Sequence, residues 1–158
     1  MVQLKRSFRS YMNIRLEKVA RTAKEAADKV YRREFGLDIQ HLRILTIVVE
    51  TPGQPVNWVV QESNLDRTLV SRLITNLAKR GLIERILSKE DARQFLLQAT
   101  PAGDKLAEQA DIIGDTMNED MLKVLTEQEL QILDRCLAKL AEWKPRVEHL
   151  DENARPDD

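Results

Sequence analysis

The chain has 158 residues, and its 25 Lys and Arg against 26 Asp and Glu leave a net charge of −1, with 4% aromatic residues. That length bounds it to one domain with at most an extension, and no run approaches the ~20 apolar residues of a membrane span. The single cysteine, Cys136, closes no internal disulfide, and the basic start (Lys5, Arg6, Arg9) leads into no continuous apolar stretch, so we expect neither a secretory leader nor an oxidising compartment but the cytoplasm.

Divided along the chain, the charge is far from even. Residues 1–33 carry ten Lys/Arg and three Asp/Glu, 34–65 one and four, 66–93 seven and four, and 104–158 seven and fifteen. An overall charge near zero therefore does not exclude a polyanionic partner, because affinity follows the local charge at the phosphates.

From Phe8 onward, Met12, Leu16, Val19, Ala23, Ala26 or Ala27, and Val30 recur every three or four residues. This spacing predicts a long amphipathic helix with a narrow apolar stripe. Thr51-Pro52-Gly53-Gln54-Pro55 reads as a turn leading into a short strand. A short helix over Asn57–Ser63 and a second, basic one over Asp66–Arg80 follow, with Asp66 as N-cap and Gly81 at the left-handed position that ends the helix. Leu69, Val70, Leu73, Ile74 and Leu77 form the buried face of the second helix. Arg67, Thr68, Ser71, Arg72, Thr75 and Asn76 fall on the other faces with Lys79 and Arg80.

Two apolar runs, Leu82–Leu87 and Phe95–Leu97, then flank a charged tip, 88–94. Helix, turn, helix and charged hairpin make a winged helix-turn-helix, whose second helix fits a DNA major groove and whose hairpin reaches the next minor groove. An amphipathic helix with a solvated face accounts for the second helix alone equally well; the basic hairpin beside it favours DNA. In that hairpin, Lys89 and Arg93 are candidate DNA contacts, with Arg93 suited to a narrow minor groove. Asp91 is placed to orient the Arg93 guanidinium.

Thr100 and Pro101 open a long C-terminal helix as N-cap and first helical residue. Leu106, Ala110, Ile113, Met117, Met121 and Leu125 supply its stripe. Thr126 and Glu129 form a capping box for a last helix carrying Leu130, Leu133, Leu137, Leu140 and Val147. Residues 151–158 read as a frayed tail. These terminal stripes are longer than a small winged domain covers, and a second copy of the chain is their simplest partner.

The segment resembles the winged domain of MarR-type transcriptional regulators. The end of that family's recognition helix is similar to Val70-Ser71-Arg72-Leu73-Ile74, Leu77 and Gly81-Leu82-Ile83-Glu84-Arg85. Its wing is similar to Asp91-Ala92-Arg93, Phe95-Leu96-Leu97 and Ala99-Thr100-Pro101-Ala102-Gly103. Upstream, Leu37-Asp38-Ile39-Gln40 and Ile44-Leu45-Thr46-Ile47-Val48 match the start and core of the preceding helix. The chain departs from the pattern at Val59-Val60, Ser63, Ala78 and Ala99, none of which is an expected DNA contact.

The resemblance implies a mainly α fold with a small β-hairpin wing, divided into an N-terminal dimerisation helix (1–33), a winged helix-turn-helix (34–100) and C-terminal dimerisation helices (101–150). It implies a homodimer on a pseudo-palindromic operator in double-stranded DNA, and a repressor released by a small molecule, often an aromatic acid. Candidate pocket residues, from the family's first and third helices, are Tyr11, Met12, Arg15, His41 and Arg43. A carboxylate would pair with Arg15 or Arg43 and a ring with Tyr11, although dimer core and surface roles account for these residues as well.

No metal or other cofactor is expected. His41 and His149 are far apart in sequence and belong to no ligand motif. Cys136 falls within a helix, where we expect it buried and inert. No nucleophile–base pair, phosphate loop or metal motif suggests an enzyme. The competing reading is a winged-helix protein-interaction module without DNA binding, which buried ion pairs at Arg72 and Arg93 would favour.

Overall fold

The computed structural model describes residues 11–88 and 94–144. Packing separates these into two compact units, one ending at Asn118 and the other beginning at Glu119. Residues Lys89, Asp91 and Arg93, expected at the wing tip, lie outside the described residues, as does His149.

Helix α1 spans Met12–Phe35 and α2 spans Ile39–Glu50. The helix that carries His41 and Arg43, expected as the third, is thus the second among the described residues, because Met12–Phe35 run without interruption. Gly36 ends α1 at φ 63°, and its N–H donates to the carbonyl of Arg32. Arg32 and Arg33 in the last turn suit the negative end of the helix dipole.

Two carboxylates start α2. The Asp38 carboxylate accepts from the backbone N–H of His41, and that of Asp28 accepts from the N–H of Ile39 at 2.8 Å. Both satisfy orphan donors of a first turn.

A two-residue strand β1 (Gln54–Pro55) leads directly into α3 (Val56–Ser63), then α4 (Arg67–Lys79), β2 (Ile83–Leu87) and β3 (Phe95–Ala99). The sheet order is β1-β3-β2, antiparallel throughout, with Arg85 opposite Leu97 and Gln54 also opposite Leu97 on the other side. Pro55, lacking an N–H, sits on an edge strand as its chemistry requires. The core gathers Leu42, Ile44, Leu45 and Val48 of α2, Val59 of α3, Val70, Leu73, Ile74 and Leu77 of α4, and Ile83 and Leu97 of the sheet. Ser63, fully buried where an apolar residue would be ordinary, satisfies its hydroxyl by donating to the Val60 carbonyl at 3.2 Å.

Helix α5 spans Pro101–Leu122. Thr100 accepts from the N–H of Gly103 as its N-cap and donates to the carbonyl of Gly81 at 2.6 Å. Gly103 is required here, since a β-carbon at this position would lie 2.0 Å from the Leu82 carbonyl oxygen. Further along, the Tyr31 hydroxyl of α1 reaches the Ala110 carbonyl at 3.4 Å. Burial, then the charges of Asp111 and Asp115, push the pKa of Tyr31 up.

In the second unit, α6 (Glu127–Ala141) begins with the expected capping box between Thr126 and Glu129. It buries no residue, and Ile132, Leu137, Leu140 and the following Trp143 are exposed. Cys136 is exposed as well, which corrects the expectation of a buried thiol. A helix interior in sequence is not a protein interior when, among the described residues, no element covers that face.

Candidate nucleic-acid interface

Helix α4 owes its position to its two ends. Asp66 accepts from the N–H groups of Thr68 at 2.8 Å and Leu69 at 3.1 Å. At the other end, Gly81 at φ 69° donates to the Ala78 carbonyl while Leu82 donates to that of Leu77. That paired return closes the last turn and turns the chain into β2. Between the caps, Val70, Leu73, Ile74 and Leu77 are buried, which fixes the rotation of the helix about its axis.

The opposite half is what this rotation presents. Arg67, Thr68, Ser71, Arg72, Thr75, Asn76 and Lys79 are all exposed. At ~100° per residue they occupy one continuous half of the circumference, with Thr75 near its middle. Ser71, Arg72, Thr75, Asn76 and Lys79 line a shallow, open concavity. Among the described residues, no ion pair involves Arg67, Arg72 or Lys79. The helix is ~20 Å long, and a major groove ~12 Å wide admits such a cylinder.

Arg80, next to this face in sequence, is used differently. Its guanidinium donates to the carbonyls of Phe35 at 3.0 Å and Gly36 at 2.8 Å, satisfying the C-terminal end of α1.

The sheet adds a residue that the motif analysis left out of the candidate site. Arg85 shares the sheet face of buried Ile83 and Leu97, yet it is exposed, and its Nη2 donates to the Thr75 hydroxyl at 3.3 Å. A cation at an inward position of period two must lead its charge out to solvent. Here that route runs over α4. The alternation of β2 holds this signal, since Ile83, Arg85 and Leu87 share one face. The hairpin itself closes toward its tip, where the Ser88 N–H donates to the Gln94 carbonyl at 2.9 Å.

The five candidate pocket residues do not gather within one chain. Tyr11, Met12 and Arg15 are exposed at the start of α1. His41 and Arg43 lie at the start of α2, which Asp28 holds against the later part of α1. From Arg15 to Asp28 the helix rises about 20 Å. The His41 ring is already engaged, its Nδ1 at 2.7 Å from Asp38. Among the described residues, no cluster of three or more His, Cys, Asp or Glu is placed to hold a metal, and no helix is long and apolar enough to cross a membrane.

Comparison with known proteins agrees with this geometry. A model of the MarR family matches residues 35–94, which run from the end of α1 through β2 and stop short of β3. Over that segment the chain is similar to the MarR family, and its fold is a winged helix-turn-helix. It is 26% identical over 122 residues to the HTH-type transcriptional regulator FarR of Neisseria gonorrhoeae, covering 75% of this chain and 84% of that relative. Its fold is similar to that of MepR from S. aureus in complex with DNA, with a TM-score of 0.75 and 22% identity over 83% of this chain and 96% of that one. A mutant MarR from E. coli complexed with operator DNA is similar too, with a TM-score of 0.74 and 18% identity over 82% and 92%. These likenesses bear out the mainly α fold with a β-hairpin wing.

Proposed function

We propose that this chain is a MarR-family protein, a homodimeric, sequence-specific DNA-binding transcriptional regulator acting as a repressor. The observation that carries the reading is the polar half of α4. Three cations and four short polar side chains form one exposed face, none of the cations is ion-paired among the described residues, and the opposite face is locked into the core. Arg72 and Ser71 are suited to base edges, with Arg67, Thr68, Asn76 and Lys79 beside them for bases and phosphates. Lys89, Asp91 and Arg93, which lie in sequence between β2 and β3, are further candidate contacts. The DNA complexes of similar fold support the same reading. Arg72 is exposed and has no ion pair among the described residues, which supports DNA binding over a protein-interaction module.

In this reading residues 1–33 and 101–150 hold the dimer, and the winged helix-turn-helix occupies 34–100. The exposed Met12, Leu16 and Val19 of α1 and Leu137 and Leu140 of α6 are apolar surface suited to a second copy. A small-molecule effector, with an aromatic acid as the first class to try, would lower operator affinity. Tyr11, Met12, Arg15, His41 and Arg43 are its candidate contacts, and given their separation in one chain such a site would draw on both protomers. Fluorescence anisotropy with the promoter duplex beside the chain's own gene, against a scrambled duplex, tests the function. Tight, salt-sensitive, sequence-selective binding is expected. Absence of binding at low salt by a folded dimer would overturn it.

A further inference from the structure

We propose that Arg85, on the wing strand β2, is an additional DNA-binding residue, held in place by Thr75 at the centre of the α4 face; this rests on the DNA-binding reading above. The argument begins with one hydroxyl group. Thr75 donates its single proton to the carbonyl of Ser71 at 2.8 Å. A hydroxyl has one proton and two lone pairs, so its oxygen is left as an acceptor. The Nη2 of Arg85 takes up that capacity at 3.3 Å. The hydroxyl therefore works as a bracket for a guanidinium more than as a donor to a base.

Arg85 carries charge to spare. Among the described residues its side chain has no carboxylate partner, and the contact with Thr75 is that side chain's one hydrogen bond. A guanidinium has five N–H donors in a planar fork, and those not turned to Thr75 remain for phosphate or base edges. Its strand position fixes where the fork emerges, because Ile83 and Leu97 bury the same sheet face and leave Arg85 only the path over α4. The charge is thus delivered onto the middle of the helical face, between the α4 cations and the wing. A flexible lysine at this strand position would lose the forked geometry.

The test compares the wild type with Arg85→Ala, Arg85→Lys and Thr75→Val on cognate and scrambled duplexes across a salt series. Circular dichroism and thermal unfolding confirm that each variant is folded. Arg85→Ala is expected to bind cognate DNA roughly tenfold more weakly, with the salt slope reduced by about 1. Thr75→Val keeps shape and charge but removes the bracket. It should weaken binding by about threefold with an unchanged slope, and the double variant should lose less than the two single losses combined. Arg85→Lys should keep the slope and recover only part of the affinity. Wild-type affinity and slope in a folded Arg85→Ala would overturn the assignment of Arg85 alone. Additive losses in the cycle would overturn the role of Thr75. Failure of the wild type to bind either duplex would overturn the DNA-binding reading itself, and Arg85 with it.

Discussion

The guanidinium of Arg80 donates to the carbonyl of Gly36 at 2.8 Å, so the residue that ends α4 also closes the end of the first helix. Its other terminal nitrogen donates to Phe35 at 3.0 Å. The contact joins positions 44 residues apart in sequence and answers two carbonyls that α1 leaves unpaired. Arg80→Ala is expected to cost about 1 kcal/mol, below the usual range for hydrogen bonds to a charged group because the site is exposed. Urea unfolding at neutral pH measures it. Because this guanidinium is committed to backbone, the salt slope for DNA should change less than in Arg72→Ala; an equal reduction in slope would show that Arg80 reaches phosphate as well.

The helix face gives a prediction that separates reading from holding. Arg72→Ala and Ser71→Ala should weaken cognate binding more than scrambled binding, because side chains at base edges discriminate while phosphate contacts do not. Arg72→Ala is expected to cost about 1–3 kcal/mol on the cognate duplex. Competition titrations at fixed salt decide it. Equal losses on both duplexes would make these residues phosphate positioners.

Gly103 tests the packing behind the wing. In most helices Gly→Ala gains up to ~1 kcal/mol of helix propensity. Here the added β-carbon would meet the Leu82 carbonyl oxygen at 2.0 Å and Leu45 at 3.4 Å. That carbonyl already accepts from Thr100 N–H at 3.0 Å, so moving it disturbs the N-terminal cap of α5. The net effect of Gly103→Ala is expected to be a loss of about 2–3 kcal/mol, in the range of overpacked cores. Thermal and urea unfolding check the sign, and a stabilised variant would contradict the close approach.

Much of this was legible in the sequence, for identifiable reasons. Asp66, Gly81, Thr100 and the Thr126–Glu129 capping box act locally, within a few residues, and each occupies the position its type suggested. The buried face of α4 followed from periodicity alone. What escaped was non-local or depended on which neighbours are present. Arg85 meets Thr75 only because the sheet folds back over α4, and Arg80 finds Gly36 only in three dimensions. Cys136 was expected to be buried because its neighbours suggest a helix interior, but periodicity says nothing of whether another element covers that face. The candidate pocket residues share chemistry without sharing a place in one chain.

Asp38 predicts a pH dependence. Burial alone would push its carboxyl pKa up; the hydrogen bonds from the His41 side chain and backbone, with the charges of His41 and Arg32, more than offset this and hold it below the ordinary 3.8. A depressed folded pKa means that the unfolded chain binds the proton more tightly, so stability rises with pH through this window. The contribution is complete above the unfolded value near 3.8 and is lost as pH falls through the lower folded value. Asp38→Asn should therefore be less stable than wild type at neutral pH, with the gap narrowing only in strong acid. Urea midpoints from pH 7 down to about pH 2 trace it, and a gap that does not narrow below the unfolded value would mean that the charge of Asp38 contributes nothing.

The apolar residues left uncovered in one chain predict an assembly. Val19 is 60% exposed on α1 and Leu140 is 52% exposed on α6, and each lies on a stripe too regular for a solvated helix. Sedimentation velocity is expected to show a dimer at micromolar concentration. A Glu at either position would bring a charge into an apolar interface without a partner, an arrangement that costs several kcal/mol. Val19→Glu and Leu140→Glu should therefore shift the population toward monomer while leaving the winged domain folded. Two half-sites about one helical turn, ~34–36 Å, apart need two recognition helices held together. The monomeric variants should thus retain weak, salt-dependent binding and lose preference for the two-fold operator. A stable wild-type monomer that still selects that operator would refute the dimer.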